Sequence, residues 1–329
     1  MIDETQVEKV REQTRALTAQ IDRRIVGHDG LVRGVLACLF AGGHVLLEGV
    51  PGLGKTLLVK TLGDVLELDF ARIQCTPDLM PADIIGTQMV VENENGGRVF
   101  EFRPGPVFTQ LLLTDEVNRA TPKTQSALLE AMEEKAVTVG RERHTLASPF
   151  MVLATQNPIE MEGTYPLPEA QLDRFLLKLS ADYPSAEELS RIVGLATGTE
   201  PPTVERTLSA VALQTTRELV RQVVLADHVK NYAVRVVLAT HPEGDTAPES
   251  VRRYVRHGSS PRGILAMVLV AKAFAAMDGR LNVSFDDLKE TALPALRHRI
   301  LLNFEGEADG VSTDRIVEEL IETVPVDES

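Results

Sequence analysis

Four residues at fixed spacing, Gly49, Gly54, Lys55 and Thr56, fit the pattern G-x-x-x-x-G-K-[ST] within EGVPGLGKTLL (48–58). Their chemistry would be to hold a polyphosphate. Backbone N–H groups at a helix N-terminus wrap phosphate oxygens, and an inward Cβ would block that approach, so glycine recurs. On this reading the cradle is Gly49, Val50, Pro51, Gly52, Leu53, Gly54, Lys55, Thr56 and Leu57. Lys55 supplies a point charge for the β- and γ-phosphates, and Thr56 a hydroxyl for Mg2+. An ordinary Gly/Pro turn would use the same letters. The context favours phosphate, because the strand-like HVLLEG precedes and the helical TLLVKTLGDVL follows.

Hydrolysis needs a metal anchor and a group that orients water. The run LLLTDE (111–116) ends on two carboxylates. Asp115 would hold the Mg2+, directly or through water, and Glu116 would polarise the attacking water as a general base. Taken alone, the pair would read as an acidic helix start. About sixty residues after a phosphate loop and behind three leucines, it reads as the metal site.

These groups need a rigid frame. HVLLEG (44–49), ARIQC (71–75), QLLLTDE (110–116), FMVLATQN (150–157) and FLLKLS (175–180) are near-continuous apolar runs, as strands buried on both faces should be. Helical patterns separate them. In PKTQSALLEAMEE (122–134), Thr121 stands at the cap, Pro122 at the first position, and Ala127, Leu128, Ala131 and Met132 form one stripe. The alternation predicts an α/β domain with a parallel five-stranded sheet over residues 1–184. Two hairpins interrupt it, at about 85–108 around Asn95-Gly96-Gly97 and at 136–147 around Gly140 to Arg143. After Tyr183-Pro184 the strand signal ends, and 185–329 reads as an all-helical domain. Its cap signals include Ser260 before Pro261, and Ser284 with Asp287. The last residues, TVPVDES, are expected to fray.

Composition sets outer bounds. The 329 residues carry a net charge of −14, so no global field attracts nucleic acid or anionic lipid. Aromatics are 4% and Trp is absent, which leaves Leu, Val, Ile and Ala to fill the core. Cys38 and Cys75 sit apart in apolar runs and read as buried small hydrophobes, with no disulfide framework. The N-terminal run is charged and helical without the apolar segment of a secretory signal, and the apolar stretch 264–277 is too short to span a bilayer. A cytoplasmic protein without membrane insertion is expected.

The quoted segments together resemble the MoxR family of AAA+ ATPases, from Ile25 to about Arg299. IVGHDGLVRGVLACLFAGGHVLLEGVPGLGKT resembles the family's opening, and the resemblance sets Val26 and Gly27 beside the adenine of ATP. LLTDEVNRATPKTQSALLEAMEE resembles its second nucleotide motif, and MVLATQNPIEMEGTYPLPEAQLDRF its sensor region. Carried over residue by residue, Asn157 is the first sensor, Arg174 in LDRF the arginine finger toward a neighbouring subunit, and Arg262 in GSSPRG the second sensor. By themselves Asn157 would read as a turn residue and Arg174 as a partner of Asp173 or Glu169. The resemblance further implies a C-terminal lid, a hexameric ring of copies, a von Willebrand factor A partner and a protein client to be remodelled or matured. Its helicase relatives leave a DNA-dependent motor as the alternative, opposed by the acidic charge, and a magnesium-chelatase-like motor subunit as a further one. Arg141, Arg143 and His144 give the second hairpin a basic tip that could meet a client. Phe100, Phe102 and Phe108 around the first hairpin could grip polypeptide or pack.

Overall fold

The computed structural model describes residues 2–49, 52, 54–92, 97–158, 163–198 and 202–326. Five parallel strands form the central sheet: β1 (Val45–Glu48), β2 (Phe70–Gln74), β3 (Leu111–Asp115), β4 (Met151–Gln156) and β5 (Leu177–Ser180). Their order is β5-β1-β4-β3-β2. Pairing is in register, Val45 with Leu153 and Leu177, and Leu111 with Met151 and Phe70.

Strand periodicity divides the core between the two faces of this sheet. Val45, Leu47, Leu111, Leu113, Met151 and Leu153 face one apolar cluster. Leu46, Leu112, Val152 and Ala154 face the other, with Leu128, Leu129 and Met132 of the helix after β3 packed on them. The first cluster holds helices α1 (Glu4–Ile21), α2 (Asp29–Ala41) and α3 (Lys55–Val65). Helix α4 spans Pro122–Glu134 on the opposite face. Thr121 occupies its N-cap position, but the hydroxyl pairs with Thr124 Oγ1 and does not cap the helix.

The chain beyond Pro184 is helical, except for short bridging strands: α5 (Ala186–Ala196), α6 (Ala210–Gln222), α7 (Asp227–Ala239), α8 (Pro261–Met277), α9 (Phe285–Leu296) and α10 (Thr313–Thr323). Ser260 caps α8, and Ser284 with Asp287 closes a capping box on α9. Helices α1 and α2 pack against α6 and α8, so one apolar cluster continues from the sheet into the C-terminal helices. Both cysteines are buried.

The first hairpin pairs Gly86–Glu92 with Arg98–Pro104, and its turn at 93–96 lies outside the described residues. The second pairs Ala136–Val139 with Glu142–Thr145. Of its basic residues, Arg141 and Arg143 stay exposed while His144 packs inward. Arg143 pairs with Glu134 at 3.2 Å, and the His144 ring stacks on Phe102 at 3.9 Å between centroids. Phe108 meets both rings edge-on, so two of the three phenylalanines pack the hairpins together, while Phe100 is 75% exposed. No helix among the described residues is long and apolar enough to cross a membrane.

Candidate active site

The carboxyl edge of the sheet carries the phosphate-loop residues. Gly49 follows β1, and its N–H donates to the Gln156 carbonyl at the end of β4, 3.3 Å away. A Cβ on Gly49 would lie 3.0 Å from that of Ala181, so the close approach of two backbones requires glycine. Gly52 and Gly54 have φ of 86° and 76°, and a Cβ on either would point into open space. That space is where a phosphate would sit. Lys55 opens α3, and its Nζ reaches back across the loop to the Gly49 carbonyl. Burial lowers the Lys55 pKa, opposed by Asp115, Glu116 and Glu48. Val50, Pro51 and Leu53 lie outside the described residues.

Asp115 ends β3 on the same edge. Its Oδ1 accepts from Thr155 Oγ1 at 2.5 Å, and its Oδ2 from Arg72 at 2.8 Å and Thr56 Oγ1 at 3.3 Å. Burial opposes its charge, but the bonds from Thr155, Arg72 and Thr56 outweigh that and hold the carboxyl below the ordinary range. Glu116 is left-handed at φ 55°, a conformation costly for a side chain with a Cβ. Its N–H is held by Thr155 Oγ1 at 2.8 Å, and its Oε2 accepts from Gln74 at 3.1 Å and Arg119 at 3.0 Å. Asn157 follows β4 on this edge and is 5% exposed.

A cleft of about 790 Å³ opens beside the loop. Gly52, Gly54, Lys55 and Leu57 line one side, and Val26, Tyr183, Leu189 and Ile192 make a mostly apolar wall. Helix α5 supplies that wall through the exposed side of its amphipathic face. Gly27, expected beside Val26 at the base, borders an adjoining hollow under Glu188. Its φ is 70°, and a Cβ there would strike Glu188 Oε1.

Arg174 and Arg262 are elsewhere. They meet at the amino edge of the sheet, where both donate to Glu133 near the end of α4, at 2.9 and 2.6 Å. His44, which precedes β1, and Leu176, which precedes β5, line the same hollow. A four-residue strand such as β1 is about 13 Å long, so the two cations stand a full sheet width from the phosphate loop of their own chain. Asp115 and Asn157 therefore stand at the phosphate-loop edge of the sheet, whereas Arg262 stands at the other. Helix α5, not α8, faces the cleft, and α8 begins at the opposite edge. The expected local partners of Arg174, Asp173 or Glu169, are replaced by Glu133.

Sequence reasoning missed Thr155, Arg72, Gln74 and the α5 wall. The only local hint was the polar residue Thr155 inside an apolar strand. The donor set fits a small hard cation, since the Thr56 hydroxyl and an Asp115 carboxylate oxygen face each other across 3.3 Å beside the open glycines. Arg72 shares that Asp115 oxygen and would have to yield part of it. The long apolar cleft fits a base and sugar leading away from the phosphates.

Comparison with known proteins identifies relatives along nearly the whole chain. Residues 44–177 match the model of the ATPase family associated with various cellular activities (AAA), and residues 248–320 match the AAA lid domain. Chaperone MoxR1 of Mycobacterium tuberculosis is 43% identical over 305 residues, covering 93% of this chain and 80% of its own. Protein MoxR of Paracoccus denitrificans is 28% identical, covering 95% and 96%. A crystal structure from Cytophaga hutchinsonii, of a protein proposed to be an ATPase, superposes with a TM-score of 0.90 at 39% identity, over 98% of this chain and 97% of that one. With both halves matched in order and a MoxR relative aligned along nearly the whole length, the chain belongs to the MoxR family of AAA+ ATPases.

Proposed function

We propose that this chain is a Mg2+-dependent ATPase whose active site is completed by a neighbouring copy, in a ring of six, and whose cycle remodels or matures protein complexes in the cytoplasm. One observation carries the reading. The carboxyl edge gathers the phosphate cradle, Asp115, Glu116 and Asn157, while the two arginines that would meet a γ-phosphate stand together at the opposite edge.

In this account the loop amides and Lys55 grip the β- and γ-phosphates. Thr56 and Asp115 hold Mg2+, which when bound neutralises charge on the phosphate oxygens. Glu116 takes the proton from the attacking water, with Gln74 and Arg119 fixing its carboxylate. Asn157 orients that water or the γ-phosphate. Val26 and the α5 wall receive the base. Arg174 and Arg262 leave Glu133 and stabilise charge on the nucleotide of the next copy, a role for which a positioned arginine contributes orders of magnitude in rate.

The relative named a chaperone supports work on a protein client, and a von Willebrand factor A protein is the partner we expect. The test mixes two inactive variants. Arg174→Ala retains its own loop and Glu116, and Glu116→Gln retains its arginines. Mixed assemblies should recover ATP turnover, and no recovery at subunit-exchange equilibrium would contradict trans action. Glu116→Gln should also bind ATP without hydrolysing it, and should retain client in ATP, whereas Lys55→Ala should retain none.

A further inference from the structure

We propose that Asp173 and Arg299 are positioning residues that join Arg174 and Arg262 into one rigid two-cation jaw. The proposal rests on the reading that both arginines act on the neighbour's nucleotide.

The jaw has a buried root. The Arg299 side chain, only 2% exposed, donates through Nε to Asp173 Oδ1 at 2.7 Å. Its other nitrogens donate to the main-chain carbonyls of Asp173 at 3.0 Å, Phe175 at 2.7 Å and Leu176 at 3.3 Å, and to Ala295 in α9. The backbone on both sides of Arg174 is thus held by one guanidinium from the C-terminal helices. The same Asp173 carboxylate accepts from Ser260 Oγ at 2.9 and 3.1 Å. Ser260 Oγ in turn accepts the Arg262 N–H at 3.1 Å and so fixes the first turn of α8. Arg262 itself stands 3.6 Å from Asp173 Oδ2. Residues 87 and 126 positions apart in sequence therefore meet on one carboxylate.

Packing closes the root independently. A Cβ on Gly263 would lie 2.0 Å from Ser259 Oγ, 2.9 Å from Leu296 Cδ2 and 3.3 Å from Arg299 Cδ, so α8 and Arg299 approach as closely as glycine allows. The tips differ from the root. Arg174 and Arg262 have side-chain exposures of 28% and 46% and share Glu133, itself 40% exposed. Exposed ion pairs of that kind are weak and yield to a phosphate. A fixed root with exchangeable tips is the geometry of a preorganised charge, which does not reorganise during reaction.

The test uses Asp173→Asn and the milder Ser260→Ala in the full chain, measured by steady-state ATPase, by ATP titration and in mixtures with Glu116→Gln. Asp173→Asn assemblies should lose at least about tenfold in kcat, as expected when a hydrogen-bonded charge is misplaced. Ser260→Ala should lose several-fold. KM and the ATP Kd of the variant's own loop should stay within about twofold. Glu116→Gln copies should rescue both variants, because they lend intact arginines to sound loops. A general folding defect would not be rescued. Native kcat in both variants would overturn the proposal, as would a loss that Glu116→Gln fails to rescue while it rescues Arg174→Ala. If Asp173→Asn does not fold, Ser260→Ala decides the matter by the same criteria. Failure to rescue Arg174→Ala itself would refute the trans reading underneath, and the jaw with it.

Discussion

Thr155→Val should damage both the stability and the turnover of this protein, although Thr155 does not line the cleft. The side chain is 1% exposed. Its hydroxyl donates to Asp115 at 2.5 Å and accepts the Glu116 N–H at 2.8 Å. Valine preserves the shape and removes both bonds. A buried N–H and a carboxylate oxygen then lose a partner, at about 1–3 kcal/mol each, for a total near 3 kcal/mol. Glu116 pays most, because its left-handed φ of 55° persists only while its surroundings hold it. Once its main chain relaxes, the carboxylate moves off the line to the water. We expect kcat to fall about a hundredfold, the lower end of what a positioned base contributes. ATP affinity without metal should stay within about threefold, since the loop amides and Lys55 are untouched. Steady-state ATPase, nucleotide titration and thermal unfolding read the three quantities. Thr155→Ser keeps the hydroxyl and should recover most of both losses. Native kcat in Thr155→Val, or equal losses in the valine and serine variants, would refute the reasoning.

Two further outcomes follow from the same structure. Lys55→Ala should abolish ATP binding in calorimetry while the fold survives, because the Lys55 side chain spans the loop to Gly49 and sits beside three carboxylates; unchanged affinity would remove the phosphate-loop assignment. Acid should destabilise the chain below about pH 6.5 through His44, which is buried and neutral, its Nδ1 accepting the Val152 N–H and its Nε2 donating to the Met132 carbonyl. Burial lowers its pKa to about 4, so between pH 6.5 and 4 the unfolded chain binds the extra proton, and stability falls as pH falls. Denaturant titrations at pH 7 and 5 should differ by about 2 kcal/mol from this residue, and His44→Gln should shrink the difference; an undiminished difference in the variant would assign the acid sensitivity to other groups.

Much of this arrangement was legible in the sequence because its causes are local. A phosphate loop writes its backbone requirements into consecutive residues, as Gly49, Gly52 and Gly54 show by close approach or positive φ. Strands buried on both faces give unbroken apolar runs, and all five of those expected pair in the central sheet. Cap chemistry at Ser260 and Ser284 is equally local. What escaped depends on the meeting of distant residues. Thr155 joins Asp115 across 40 positions, Arg72 reaches it across 43, and Arg299 reaches Asp173 across 126. The placement of Arg262 was not readable for the same reason. Its motif gives a capped helix start, but the docking of α8 at the amino edge follows from how α1 and α2 pack with the C-terminal helices. The inward turn of His144 onto Phe102 was likewise unreadable, since the two residues lie on different hairpins.

The most direct test of the central claim is the specific ATPase rate per chain as a function of chain concentration, with the mass of the species followed by light scattering at each point. A loop at one edge of the sheet and its two arginines at the other predict a rate that rises with concentration, in step with assembly, from a nearly inactive single chain. A rate per chain that stays constant down to concentrations where only monomers remain would contradict the account.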